Sequence, residues 1–343
     1  MELENDVWLD DETIEESSDK EHMSKFTQYI IDGDNYVPVQ KCGKTLPSGY
    51  YRIGFNDNTQ QVFFIKQKII MPKLYTLPNS LHRDIMADIQ HFWESKDRYK
   101  AFGNVYKRNI LIYSVPGTGK TSLINLIVRD LLKRRKGIVI QINKANDLVL
   151  YPLAMKYFRQ VEGDRPVILV MEDFDTLLLD DTYKSAMLNL LDGNDQFDNV
   201  VTIATTNHPE KITDQFSNRP SRFNLIIEYG KPSAKIRKFY IETKLKEAGV
   251  DIRKIKDDIA RYVSRSSGYT MDHLKELIQG IFVDELPEED VFNRIDAMIE
   301  KRGLYKANDD FIGAGGGDDE DWDNEVDGAL PPLPTPKRKI GFV

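Results

Sequence analysis

The run Ser114-Val115-Pro116-Gly117-Thr118-Gly119-Lys120-Thr121 constrains this chain more than any other stretch. It sits between an apolar run, Ile110 to Tyr113, and an amphipathic one, Ser122 to Leu132, which is the order strand, loop, helix. Closely spaced glycines let backbone N–H groups close on phosphate oxygens, and the start of the next helix adds the positive end of its dipole. A lysine there reaches β- and γ-phosphates, and the hydroxyl after it binds Mg²⁺. Lys120 and Thr121 hold those two positions, and Pro116, Gly117, Thr118, Gly119 and Ser122 complete the nucleotide-binding set. The run departs from G-x-x-x-x-G-K-[ST] only at its first position, where Ser114 stands for glycine. Nothing in the sequence explains that serine.

Three further constellations lie downstream. Val167 to Met171 is a continuous apolar run followed by Glu172 and Asp173. A buried strand that ends in two carboxylates suits an open α/β sheet, which binds ligands beyond the carboxyl ends of its strands. Glu172 is assigned to Mg²⁺, together with Thr121, and Asp173 to the attacking water. Asp175 reads as a helix N-cap. The run Val200 to Thr206 ends in Asn207, an amide suited to the γ-phosphate or the lytic water. Then come Arg219 and Arg222 in Asn218-Arg219-Pro220-Ser221-Arg222-Phe223. Arginine stabilises charge on a transferring phosphoryl group because its guanidinium is planar, always charged and multidentate. Both arginines are therefore assigned to catalysis, supplied to a neighbouring subunit.

Strands and helices alternate through the middle of the chain. A hairpin is expected over Gly49 to Lys66, turning at Asn56-Asp57-Asn58. A helix is expected from Ser80, a strand at 110–113 and a helix at 121–134 that Gly137 ends. Strand 138–142, helix 153–160, strand 167–171, helix 183–191 and strands 200–205 and 225–229 follow. Continuous apolar strands between helices argue for a parallel sheet covered on both faces. From Ser233 to about Tyr305 the pattern is helical.

Five segments follow from this: an acidic disordered arm at 1–22, a small β-rich domain at 23–78, an α/β domain at 79–229, a helical lid at 230–306 and a disordered tail at 307–343. The net charge of −8 is unevenly placed. Residues 1–22 hold ten acids against one lysine, and 308–330 hold nine acids and no base. With Lys337, Arg338 and Lys339 at the end, the interior 23–307 is left at +7. Acidic blocks of this kind stay solvated. The tail's Leu330-Pro331-Pro332-Leu333-Pro334 followed by basic residues suits either an extended recognition segment or an unbound tail.

The single cysteine, Cys42, excludes an intrachain disulfide and a cysteine-based zinc cluster. The five histidines show no metal-ligand spacing, and His208 and His273 read as packing or surface residues. No apolar run approaches the ~20 residues of a membrane helix. The acidic N-terminus does not resemble a signal peptide, so a soluble cytoplasmic setting is expected.

Taken together, these motifs resemble the AAA family of ring-forming ATPases over roughly residues 80–290. Met187 to Gly193 resembles that family's helix between the acid pair and the sensor strand. Ser267 to Asp272 resembles the start of its lid. The family's sensor asparagine falls on Asn207 and its trans-acting arginines on Arg219 and Arg222. The Glu172-Asp173 order, Thr205 to Glu210, Ser95 to Tyr99 and Tyr106 to Arg108 are similar to one branch, that of the mitochondrial chaperone that assembles respiratory complex III.

The resemblance implies a P-loop α/β fold of three layers with a helical lid. It also implies ATP and Mg²⁺ as cofactors, a homo-oligomeric ring (hexamer or heptamer) and a protein substrate. Two rivals remain: a nucleic-acid motor or loader, suggested by the +7 interior and Lys133-Arg134-Arg135-Lys136, and a nucleotide-gated scaffold. The aromatic–apolar–glycine trio of many AAA translocases is missing after strand 138–142, leaving Tyr151 as either a pore residue or a packing residue.

Overall fold

Val167 to Met171 are each at most 1% exposed, so their strand must be covered on both faces. The computed structural model shows how. It describes residues 28–32, 35–39, 42–68, 73–75, 77–78, 80–178, 181–217 and 219–310. The arm at 1–22, Asn218 and the tail beyond 310 lie outside the described residues.

The strands are β1 (Gln28–Asp32), β2 (Asn35–Val39), β3 (Gly49–Asn56), β4 (Gln61–Gln67), β5 (Lys107–Tyr113), β6 (Ile138–Ile142), β7 (Val167–Met171), β8 (Val200–Thr206) and β9 (Leu225–Glu228). The helices are α1 (Ser80–Trp93), α2 (Lys96–Ala101), α3 (Lys120–Asp130), α4 (Ala145–Val161), α5 (Asp181–Asp192), α6 (Asp214–Ser217), α7 (Ala234–Glu247), α8 (Lys256–Arg265), α9 (Met271–Phe282) and α10 (Glu288–Asp310). β1 and β2 form an antiparallel pair of their own. The other seven strands form one sheet in the order β4-β3-β6-β7-β8-β5-β9, parallel except for the β3–β4 pair.

Side chains alternate across the pleat, so each central strand feeds two cores. Val167, Leu169 and Met171 pack with Leu148, Tyr151, Met155 and Phe158 of α4 and Met187 and Leu191 of α5. Ile168 and Val170 pack with Ile85 and Ile89 of α1 and Leu123, Ile124 and Ile127 of α3. Burying each such side chain contributes about 1.5–3 kcal/mol, which fixes the register of the central strands.

The expected hairpin forms, but not in a separate domain spanning 23–78. β3 pairs in parallel with β6, from Gly49 opposite Ile138 to Tyr51 opposite Ile140. Tyr51 and Ile53 are buried in the sheet's core. Phe64 of β4 lies 6.3 Å edge-on from Tyr51 and 6.0 Å from Phe158. The hairpin is thus the edge of the main sheet, because its apolar face needs α4 to cover it.

Two helix boundaries also differ from expectation. α4 begins at Ala145 and runs through Pro152, since the Asp147 carboxylate accepts from the N–H groups of Asn143 and Lys144 at 3.0 and 3.1 Å and opens the helix early. After α3 the helix widens into a π-turn over Leu131–Arg135, and Lys136, at φ 50°, takes the left-handed position expected of Gly137.

The segments before β5 are pinned by aromatic stacking. Phe92 stacks on Tyr106 at 4.5 Å, Tyr99 meets both rings, and Arg108 grips Asp88 with two N–H groups.

The chain divides into two compact units, 1–274 and 275–343, and the division falls inside α9. In the second unit Arg294 donates to Glu276 at 2.6 Å, and Val291, Phe292 and Ile295 are buried. Among the described residues no helix is long and apolar enough to cross a membrane.

Candidate active site

β7, β8 and β5 are neighbours, and their register brings their carboxyl ends close to level. Tyr113 lies opposite Thr206, and Met171 opposite Ala204. The residues that follow each strand therefore share one rim: the 114–121 loop after β5, Glu172 and Asp173 after β7, and Asn207 after β8.

In the loop, Gly117 and Gly119 have φ of +84° and +106°, a conformation that costs a side chain energy. Gly119 is the N-cap of α3, and Lys120 is its first residue. Thr118 is 1% exposed, while Pro116, Thr121 and Ser122 are exposed. The start of α9 closes on this loop, as the N–H of Asp272 donates to Gly117 O at 3.1 Å. Beside it, Leu77, Leu81, Thr118, Tyr229, Gly230, Lys231, Pro232, Ile236 and Met271 line a cavity of about 120 Å³.

The assigned polar groups are bonded to one another. The Thr121 hydroxyl donates to Glu172 Oε2 at 2.9 Å. Lys120 Nζ, on a 9% exposed residue, donates to Asn207 Oδ1 at 2.6 Å. Asn207 Nδ2 reaches Asp173 Oδ1 at 3.3 Å. Asp173 itself sits at φ 49°, strained for a residue with a side chain. Its carbonyl is held by Thr176, whose N–H and hydroxyl each donate at 2.8 Å, and Phe174 beside it is wholly buried. Strain and anchoring together fix where the Asp173 carboxylate emerges.

Thr121 and Glu172 fit Mg²⁺, a hard cation that takes one or two protein oxygens and completes its shell with water and substrate phosphates. No cluster of three or more His, Cys, Asp or Glu suited to a metal is found among the described residues, and such a shared shell does not require one.

The two arginines separate. Arg219 is exposed, and with Leu188, Asp214, Gln215 and Arg222 it lines a surface cavity of about 450 Å³. Arg222 is 9% exposed and turned onto its own chain, donating to Gln215 O and lying 3.7 Å from Asp192. Tyr151 is 2% exposed, edge-on to Phe197 at 6.0 Å. It is a packing residue, so the pore alternative is set aside. His208 bonds Glu210, and His273 accepts from the N–H of Thr270.

Sequence reasoning missed three groups. Asp175 is not an N-cap: its carboxylate, 6% exposed, accepts from Thr206 Oγ1 at 2.6 Å and braces β7 against β8. Lys107 and Asn109, at the other end of β5, bond the carbonyls of Leu191, Ser221 and Arg222 and so hold the arginine turn. Ser114 bonds Lys120 directly, at 2.7 Å. The departure from the glycine pattern was the one visible signal for any of them.

Residues 110–231 match the sequence profile of the ATPase family associated with various cellular activities, AAA. They form an AAA domain. The AAA match opens in β5 and closes just beyond β9, so it takes in the phosphate loop, the acid pair, Asn207 and both arginines. A protein of Methanothermobacter marburgensis named as a 26S proteasome regulatory subunit homologue is 26% identical over 63% of this chain and 60% of its own length. An AAA-ATPase of Arabidopsis thaliana is 31% identical over 44% of this chain and 34% of its own. The ATP-dependent zinc metalloprotease FtsH of Marinobacter nauticus is 22% identical over 58% and 33%. The chain thus spans from about a third to three fifths of the length of these relatives.

Proposed function

We propose that this protein is a ring-forming ATPase that couples ATP hydrolysis to remodelling or translocation of a protein substrate. The observation that carries the reading is the bonded set Thr121–Glu172 and Lys120–Asn207–Asp173 on one rim of the sheet. Lys120 takes phosphate charge, Thr121 and Glu172 hold Mg²⁺, Asp173 draws the proton from the attacking water and Asn207 senses the γ-phosphate. Arg219, exposed, acts on the site of a neighbouring subunit. Arg222, bonded to its own chain, shapes the turn that carries Arg219. The arginine contact is lost with the γ-phosphate, which couples hydrolysis to subunit motion.

A protein as substrate is favoured by relatives named for the 26S proteasome and as an ATP-dependent metalloprotease. The Glu172-Asp173 order and the motifs at 95–108 and 205–210 favour the branch of the complex III assembly chaperone within that class. The nucleic-acid reading loses ground because part of its basic run is engaged: Arg134 pairs with Asp130 at 2.7 Å, and Arg135 lies over the Trp93 ring.

The test is kinetic. Asp173→Asn is expected to bind ATP and lose turnover by about a hundredfold or more, while Arg219→Ala loses turnover with nucleotide affinity spared. Mixing the two variants should restore activity, since an intact acid pair then meets an intact arginine across an interface. Near-normal turnover by Asp173→Asn removes that residue from the mechanism, and no recovery on mixing places the arginine's action within one chain. ATP-dependent capture of a polypeptide by Asp173→Asn would identify the substrate.

A further inference from the structure

Ser114 follows β5 directly, at the position where the phosphate-loop pattern has glycine. Its residue is 7% exposed, and its φ is not among the positive values in the chain, so the backbone accepts a side chain without strain. The hydroxyl is fully employed. It accepts from Lys120 Nζ at 2.7 Å and shares hydrogen bonds with the Thr118 hydroxyl at 2.6 Å and with Val115 O at 2.8 Å, the carbonyl that Thr118 Oγ1 also reaches at 3.2 Å. A hydroxyl has no further capacity, so this serine is built into the loop rather than tolerated by it.

Lys120 is the group meant for the β- and γ-phosphates, and its ammonium has three N–H donors. Ser114 Oγ and Asn207 Oδ1 engage it at 2.7 and 2.6 Å. A hydrogen bond from an ionised donor is about twice as strong as a neutral one. Polyphosphate oxygens that draw on Lys120 therefore draw against Ser114. A tether can also help binding by placing the lysine in advance. Here Asn207 and the buried stem already place it, so competition is the larger effect of the serine.

We propose that Ser114 is a positioning residue that weakens binding of nucleoside di- and triphosphates by holding Lys120 back from their phosphates, which speeds release of the diphosphate product. This rests on the reading of 114–121 as the nucleotide site.

The experiment measures affinity of the full chain for Mg·ADP, a non-hydrolysable Mg·ATP analogue and AMP, in wild type, Ser114→Ala and Ser114→Thr. Ser114→Ala should bind ADP and the analogue about tenfold more tightly, with ADP dissociation slowed in proportion. AMP, which lacks the phosphates that Lys120 reaches, should change by less than about twofold, and Ser114→Thr, which keeps the hydroxyl, should stay equally close to wild type. Ser114→Gly, the pattern residue, should behave as alanine does and serves if alanine impairs folding. Unchanged or weaker ADP binding in the alanine and glycine variants overturns the proposal. So does equal tightening of AMP, which would mark a general change in the loop. Wild type that binds none of the three overturns the nucleotide reading itself, and this inference with it.

Discussion

Lys107 shows how far one side chain can matter away from the chemistry. It donates to the carbonyls of Leu191 and Ser221, joining the end of α5 to the arginine turn. Burial lowers its pKa to about 8, with Asp192 opposing the shift. The folded-state value lies below the unfolded one, so between them the unfolded chain binds more protons, and stability rises with pH from about 8 towards 10. Because Lys107 is partly exposed, the gain is discounted to on the order of 1 kcal/mol. Urea denaturation at pH 7.5 and 9.5 should show wild type gaining that much relative to Lys107→Met. Parallel behaviour of the two proteins would mean that the ammonium is not strained by its setting. Like Asp175, Lys107 was illegible beforehand, because its partners lie far along the chain and a lone lysine at the start of a strand carries no pattern.

The elements meet where the phosphate loop touches the start of α9. Gly117 has φ +84°, and a Cβ there would lie 3.0 Å from Asp272 Oδ2 and from Thr270 Oγ1. Gly117→Ala therefore strains the backbone and pushes α9 off the loop together. It should weaken nucleotide binding at least about tenfold and cost about 1–3 kcal/mol of stability, read by nucleotide titration and denaturation. Gly163→Ala, at an exposed site with one ordinary contact at 3.4 Å, should change neither. A second junction joins the acid pair to the arginine turn. Phe174 stands edge-on to Phe216 at 5.4 Å and to Phe223 at 5.6 Å. Aromatic residues six or more apart in different elements have no common periodicity, so this link was visible only once the elements had packed.

For the molecule as a whole, the sheet's edge decides what can be cut away. A chain starting at residue 79, the boundary expected for the α/β domain, would lose β3 and β4. It would bare the hydrogen-bonding edge of β6 and remove Tyr51 and Ile53 from the core. Large apolar losses of this kind cost about 3–5 kcal/mol each, and an open apolar edge invites pairing with other chains. That fragment should be insoluble or aggregate, whereas one starting at residue 42 should fold, as judged by size-exclusion chromatography and circular dichroism. A soluble, cooperatively folding 79–343 fragment would restore the hairpin to a domain of its own.

The sequence alone supplied the candidate chemistry. Glycines, a lysine, a threonine, paired acids and an asparagine can be read singly because each has a narrow chemical use at the end of an apolar strand. It also determined the class of fold, since runs buried on both faces leave no polar alternation and demand helices on either side. Only the tertiary structure decided the order β7-β8-β5 that brings those strand ends together, because strand order depends on crossovers between segments distant in the chain. It also decided that the β3–β4 hairpin joins the sheet, since an amphipathic hairpin carries no mark of the surface that will cover it. The two arginines, equivalent by composition, were divided by burial into one turned inward and one exposed. Packing supplied a reason for Ser114 as well: it is the hydroxyl that Lys120 holds.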